Sequence, residues 1–519
     1  MGLLRSTFTV SSMTMLSRVM GLIRDMVFTR LFGAGIATDA FLVAFKIPNF
    51  LRRLFGEGAF SQAFVPVLNE VKTKEGKEAV ANLSSNVVGT MAWALFLLTV
   101  IVVIAAPLVV MVIAPKYYSD PARFYLTSAM LMVTFPYILF ISLTALAGGI
   151  LNTYGTYWVP AFTPVFLNLS LIGSAYWLSP HMQIPVVAMA WGVFVAGVIQ
   201  LAFQIPFLAR LGVLRWPKWG WKNPGVQKVW RLMLPGIFGS SVMQINLMFD
   251  VIIASFLVAG SITWLYVADR MVELPLGVFG VALATVILPN LSQKHAEGDP
   301  HNFSRMIDWA LRWVLIIGLP AAVGLAVLAI PILSTLFLYG DFSAFDVKMA
   351  SYSLYAYSFG LLGFILVKVL APGYFARQDT RTPVRIGIMA MVVNMVFNVI
   401  FVFGMIKLGI VGAHAGLALA TTVSSFFNAT LLYRGLRKDG VYKLQPGWLK
   451  LLFQTGLAVF IMGLVLFYFT GDTAEWQGAS AGQRALHLAG LIGLGGAVYF
   501  ITLWLSGWRF ASLRRPATH

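Results

Sequence analysis

The stretch FYLTSAMLMVTFPYILFISLTALAGGIL (124–151) decides the fold, and it belongs to a longer run, residues 124–209, with no Asp, Glu, Lys or Arg at all. A soluble domain carries roughly a quarter charged residues. A run of this length without charge needs lipid around it. The rest of the chain agrees. Of 519 residues, 59% are hydrophobic and 11% charged, and the mean hydropathy is +0.83. There is no cysteine, which excludes disulfides, thiolate metal sites and a cysteine nucleophile.

A helical span needs about 20 mainly apolar residues. Read on that basis, the chain divides into fourteen spans, at about 6–30, 37–68, 83–113, 123–150, 158–179, 185–209, 229–258, 264–291, 308–338, 349–374, 383–405, 411–433, 449–470 and 486–508. The first two are the least apolar. The expected fold is therefore an all-α polytopic membrane protein. With a cytoplasmic N-terminus, the loops and tail assigned inside hold 23 Lys and Arg, against five outside (Lys116, Arg123, Lys348, Lys407 and Arg484). That asymmetry follows the positive-inside rule and places both termini in the cytoplasm. The N-terminal run is broken by Arg18, Arg24 and Asp25, and no small-residue cleavage site follows, so it does not read as a signal peptide.

A net charge of +18 raises the question of nucleic acid. Most of that charge lies in short loops between spans, and no nucleic-acid module is recognisable, so nucleic acid is not an expected partner. Trp216, Trp219 and Trp221, mixed with Lys218 and Lys222, read as an anchor at the cytoplasmic membrane interface. No Walker A loop, no HExxH and no clustered metal ligands occur, so no cofactor or metal is expected.

Residues 41–68 align without gaps to 264–291 at an offset of 223, with Pro66 on Pro289 and Phe41-Leu42 on Trp264-Leu265. Gly149, Thr156 and Pro160 match Gly373, Thr380 and Pro383 at offsets of 223–224. Six spans per half is an even number, so both halves enter the membrane in the same sense. A parallel duplication follows, with a cavity expected between two six-helix lobes. The expected lobes are 1–222 and 223–445, followed by 446–519, which holds the last two spans and a basic tail. Pro48, Pro136, Pro160, Pro164, Pro275 and Pro289 interrupt helical stretches as candidate kinks.

Charge inside the spans carries the functional signal. The first two spans hold Arg18, Arg24, Arg30, Lys46, Arg52 and Arg53, with only Asp25, Asp39 and Glu57 as acids. A cation at the centre of a bilayer costs roughly 2.5–3.5 kcal/mol on insertion scales. An excess at this depth points to a water-filled cavity for something negative. Asp39, Lys46, Arg53 and Glu57, spaced 7, 7 and 4, fall within about 20° of one line on a helix. Arg18, Gly21 and Asp25 share a face of the first span, flanked by Ser17 and Arg24. In the second half Asp269, Arg270 and Glu273 form a compact group. The plainer reading is a set of structural ion pairs, such as Arg53–Glu57, but pairing requires balance and cations here outnumber acids. Planar guanidinium groups suit a phosphate or carboxylate ligand. Asp250 is a candidate cation or proton site, with a satisfied polar residue as the plainer reading. His414, on an apolar helix, reads as a hydrogen-bonded core residue.

These stretches are also familiar. SSMTMLSRVMGLIRD (11–25), FGAGIATDAFLVAFKIPNFLRRLFGEGAFSQAFVPVL (32–68), YVADRMVELPLGVFGVALATVILPNLS (266–292) and KVLAPGYFARQDTRTPV (368–384) strongly resemble the MurJ (MviN) family of bacterial lipid II flippases, and the similarity runs through nearly the whole chain. The resemblance implies the multidrug/oligosaccharidyl-lipid/polysaccharide exporter superfamily: two six-helix lobes around a central cationic cavity, alternating access, and two C-terminal spans that form a groove for a polyprenyl tail. It implies a location in the bacterial inner membrane, lipid II and membrane lipids as ligands, and partners in cell-wall synthesis. The positions matching the family's functional charges are Arg18, Arg24, Asp39, Arg52, Arg53 and Arg270, with Ser17, Lys46, Glu57 and Glu273 as supporting candidates. Transport by such a protein makes and breaks no bond, so no catalytic residue is expected. An exporter of cationic drugs would need excess acid where the first lobe has excess base. An exporter of another polyprenyl-diphosphate oligosaccharide suits the arginines equally and stands as the alternative. A membrane glycosyltransferase would need a sizeable outer loop, and the outer loops reach at most about 16 residues.

Overall fold

The structure is a computed structural model that describes residues 3–53 and 60–509, and within them every regular element is a helix. It resolves into two compact units, residues 1–263 and 264–519.

The first unit holds α1 (Leu3–Phe32), α2 (Ile36–Arg52), α3 (Phe60–Ile104), α4 (Pro121–Thr134), α5 (Tyr137–Thr153), α6 (Pro164–Gly173), α7 (Val187–Arg210) and α8 (Pro224–Ala254). Inside α3 the chain turns at Gly76, whose φ of 82° is open only to glycine at low cost. Proline sets several of the other breaks. The α4–α5 break falls at Pro136, and α6 begins on Pro164, whose missing N–H costs nothing in the first turn. Pro48 instead sits inside α2 without ending it. The helices α2 and α4, α3 and α5, α5 and α7, and α1 and α6 pack in pairs, and α8 lies on α3. Ala40, Phe41, Val43, Ala44 and Phe64 are fully or nearly fully buried among them.

The loop after α7 is tied down to α3. Ser85 Oγ donates to the Trp216 carbonyl, Lys218 N donates to Ser85 O at 3.1 Å, and Gly220 N donates to Thr90 Oγ1 at 3.0 Å. Trp216 is left 89% exposed, with Trp219 and Trp221 also outward.

The second unit begins within α9 (Ser261–Pro275) and continues through α10 (Val281–Ala296), α11 (Pro300–Trp313), α12 (Leu319–Val327), α13 (Ala329–Phe337), α14 (Ala344–Leu370), α15 (Arg381–Lys407), α16 (Ala415–Lys438), α17 (Trp448–Thr470) and α18 (Ala481–Leu505). A π-helical turn, Leu276–Gly280, follows Pro275. Proline removes an i→i−4 hydrogen bond, and a wider turn is one way a helix absorbs the loss. Helices α14 and α16 approach closely because Gly360 and Gly363 face Thr422 and Ser425. Thr422 Oγ1 then donates to Ala356 O at 2.8 Å, and Ser424 Oγ to Ala390 O at 2.6 Å. Small residues and hydroxyl bonds are how helices associate where lipid removes the hydrophobic drive. His414 is buried against Trp264 and hydrogen-bonds to the Met349 carbonyl at 2.8 Å, as expected of a core histidine.

Among the described residues, eleven helices are long and apolar enough to cross a membrane, not fourteen. The three expected spans outside that set are 6–30, 37–68 and 229–258. The first is one continuous helix of 30 residues, but its arginines depress its hydropathy. The second is divided between α2 and the start of α3, with residues 54–59 outside the described residues. In the third, α8 runs for 31 residues but contributes only Gln244–Ala254 as a described apolar stretch.

Candidate functional site

The charged face of the first unit is built on α1 and α2. Between residues 3 and 53 there are seven basic residues and two acidic ones. Both acids face donors. Asp25 is 1% exposed, and its Oδ1 accepts from Arg24 Nε at 3.0 Å and Nη2 at 2.6 Å. The third guanidinium nitrogen, Nη1, donates to Asn168 Oδ1 at 3.1 Å, and Asn168 Nδ2 donates to the Ser17 carbonyl at 3.1 Å. Arg24 is thus a buried cation, 9% exposed, whose plane is set from two helices, α1 and α6. An ion pair taken out of water is tolerable only with such additional hydrogen bonds.

Asp39 lies near the start of α2 and is 3% exposed. Its Oδ2 accepts from Gly260 N at 2.7 Å, and its Oδ1 from Thr263 N at 2.9 Å and Thr263 Oγ1 at 2.7 Å. Backbone donors at the beginning of a helix are unsatisfied within it and carry partial positive charge, so a carboxylate is the natural cap.

Further along α2 the environment opens. Lys46 is half-buried, Arg52 is half-buried with Nε on Asn49 Oδ1 at 2.9 Å, and Arg53 is exposed. Arg18, on α1, is exposed, and Ser17 is half-buried. α2 is helical over 36–52 and its C-cap Arg53 keeps helical backbone angles, so Asp39, Lys46 and Arg53 follow one line, about 20 Å from first to last. The line runs from a buried, satisfied carboxylate to an exposed guanidinium. Glu57 lies outside the described residues.

In the second unit, Arg270 is half-buried over the Tyr266 ring at 5.9 Å, and its Nη1 donates to Glu273 Oε2 at 2.8 Å. Asp269 is exposed. Asp250, half-buried near the end of α8, belongs to the first unit. The structure therefore brings Arg24, Asp25 and Ser17 together, places Asp39 about a helix-length from Arg53, and pairs Arg270 with Glu273.

Asn168 is the partner that the sequence reading passed over. It is a single amide among PVFLNLSLIG, buried to 5% exposure, and a polar residue inside so apolar a helix was the available signal. Gly260 and Thr263 carried no comparable mark. Among the described residues no group of three His, Asp or Glu side chains is placed to hold a metal.

A helical chain with eleven candidate spans among its described residues, and with a buried arginine held by amide and carboxylate, is a polytopic membrane protein. The family model described as lipid II flippase MurJ matches residues 28–481. A probable lipid II flippase MurJ of Vibrio cholerae is 49% identical over 99% of this chain and 98% of its own length. The lipid II flippase MurJ of Burkholderia cenocepacia is 42% identical over 100% of both. Among solved structures, a lipid II flippase MurJ in an inward closed conformation superposes with a TM-score of 0.79 at 27% identity, covering 96% of this chain and 98% of that one. An inward-facing multidrug resistance MATE transporter of the MOP superfamily shares the fold, with a TM-score of 0.65 at 15% identity over 84% of this chain and 98% of that one. The chain belongs to the lipid II flippase MurJ family.

Proposed function

We propose that this protein carries lipid II, the undecaprenyl-diphosphate-linked disaccharide-pentapeptide, from the cytoplasmic to the periplasmic leaflet of a bacterial inner membrane by alternating access. The observation that carries the reading is identity of 42–49% with MurJ flippases over essentially the whole chain. Arg18, Arg24, Arg52, Arg53 and Arg270 are the ligands for the diphosphate. Lys46, Ser17, Glu57 and Glu273 tune their charge and orientation, and Asp39 holds α2 in place. The fork of a guanidinium matches two phosphate oxygens, and Arg24 is already oriented by Asp25 and Asn168. The lobes of the cycle are residues 1–222 and 223–445. Both termini lie in the cytoplasm, and the products pass to the cell-wall synthesis machinery outside.

The polyprenyl tail stays in lipid along α17 and α18. Supporting this, Gly482, Ala489, Gly493 and Gly496 share one face of α18 by their spacing, and nothing lies within 4 Å of a side chain built at the three glycines. That leaves a shallow open track, interrupted by exposed Leu486.

The test is depletion in living cells with an impermeant enzyme added outside that cuts lipid II at its diphosphate. The expected result is that lipid II becomes protected and accumulates inside, that wild-type protein restores cleavage, and that Arg24→Ala does not. If lipid II stays cleavable on depletion, this chain carries another polyprenyl-diphosphate oligosaccharide.

A further inference from the structure

The last two helices are joined to the run α11–α13 at three heights, and each joint is a buried polar contact. At one end, Asp308 on α11 is 3% exposed. It accepts from Tyr442 OH at 2.7 Å, from Trp448 Nε1 at 2.7 Å and from Arg312 Nε at 2.6 Å. Trp448 is the first residue of α17. Arg312 closes the knot, with Nη2 on the Pro446 carbonyl at 2.7 Å and its guanidinium 5.5 Å over the Trp448 ring.

At the middle height the sequence creates a vacancy, and the fold fills it. In an α-helix the Ile316 carbonyl would accept from the N–H of residue 320. Residue 320 is proline and has none. The chain there forms a π-helical turn, Val314–Gly318. Tyr499 of α18, 2% exposed, donates its hydroxyl to Ile316 O at 2.7 Å. In hydrocarbon no water would do this job, so the bond is specific to one register of α18.

At the other end, Arg484 of α18 is 7% exposed. Its Nη1 donates to the carbonyls of Ser334 and Leu338 at 3.1 and 2.9 Å, and its Nη2 to Gln477 O at 3.0 Å. Ser334 lies in the last turn of α13 and Leu338 is its C-cap, so there the cation also meets the negative end of the helix dipole. From Asp308 to Ser334 is roughly 40 Å of helix, about the thickness of a bilayer. Between the joints Ile316, Leu328, Val459, Met462, Leu466 and Leu491 belong to one buried apolar cluster. A helix pair held at one height would be free to pivot. Held at three, across the full membrane, it is not.

We propose that Tyr499, with Asp308 and Arg484, are positioning residues that lock α17 and α18 to α11–α13 as one rigid body, so that the helix pair travels with that body through the cycle and keeps the substrate's hydrocarbon tail in constant register. The second half of the statement rests on the tail path proposed above; the rigid body does not.

The cysteine-free chain permits a direct test. A side chain built at Gly463 on α17 comes within 3.4 Å of Val323 Cγ1 on α12. The pair Val323→Cys/Gly463→Cys should form a disulfide under mild oxidation in lipid vesicles, and the locked protein should flip lipid II at the rate of its reduced form. A block on locking overturns the rigid body, as does failure of the pair to crosslink. Unmodified protein in the same vesicles separates this from the function itself: if it does not flip lipid II, the transport reading falls instead. For the register, Tyr499→Phe keeps the ring and removes only the donor. Binding of full-length lipid II should weaken roughly fivefold, the equivalent of one hydrogen bond, while a short-tailed water-soluble analogue binds as before. Equal weakening of both, or no change in either, rejects the role in tail register.

Discussion

At the scale of single residues, the decisive feature is that the intramembrane cations are not equivalent. Arg24 is buried and oriented by Asp25 and Asn168, whereas Arg18 and Arg53 are exposed. Arg24→Lys keeps the charge and loses the fork that spans Asp25 and Asn168 at once. It should fail to restore growth in depleted cells while inserting normally, with membrane fractions and lipid II accessibility as the checks. Asn168→Leu keeps the branched shape of the side chain but leaves the Arg24 Nη1 and the Ser17 carbonyl without this partner. A buried group stripped of its bond costs about 1–3 kcal/mol, so a lower unfolding temperature in detergent is expected together with weaker substrate binding. Asp39 behaves differently. Its three donors are two amides and a hydroxyl, so Asp39→Asn replaces one acceptor oxygen with a donor that faces other donors. Loss of stability is the expected outcome, read in the same melting experiment.

At the scale of elements, helix association depends on where small residues fall. A methyl at Gly363 on α14 would meet the Ser425 hydroxyl and the Phe426 backbone on α16, whereas one at Gly387 on α15 meets nothing within 4 Å. Gly363→Ala should therefore destabilise the second unit. Gly387→Ala should be neutral or stabilising by about 1 kcal/mol, the usual gain of alanine over glycine inside a helix. Comparative melting of the two variants checks the pair. The entry to α15 is acid-sensitive. Asp379 lies in the loop before it and accepts from the Thr382 amide at 3.0 Å, which holds its carboxyl below the ordinary range. A depressed carboxyl contributes its stability above the ordinary aspartate value of about 4, and loses it as pH falls through the depressed one. Hydrogen exchange at the Thr382 amide should accordingly quicken, relative to its neighbours, only on acidification below that range.

At the scale of the whole molecule, the open physical question is what drives the cycle. Moving one charge through 100 mV is worth about 2.3 kcal/mol. A headgroup with about two negative charges leaving a negative interior gains roughly 5 kcal/mol per 100 mV on that basis. Imposing an inside-negative potential on vesicles with a potassium gradient and valinomycin should accelerate outward flipping, and collapsing it should slow the reaction. A rate indifferent to potential would transfer the drive to an ion gradient, for which Asp250 is the candidate to mutate first.

What could be read before folding was whatever depends on neighbours close in sequence. Residues 124–209 without a charge require a membrane, alternating short basic loops give an expected orientation, and the helical period places Asp39 and Lys46 on one line of α2 that its C-cap Arg53 continues. Even there the count of spans was less secure than the class, because α1, α2 and α8 mix apolar length with charge or interruption. What the chain alone left open was decided by packing. Arg24 meets Asn168 across 144 residues, Asp39 meets Thr263 across 224, and Tyr499 meets Ile316 across 183. Proline at 320 announced a carbonyl without its donor, but not which of many hydroxyls would reach it. Such partners depend on which helix faces lie together, and a buried polar atom selects its partner only once the apolar surfaces around it have excluded water.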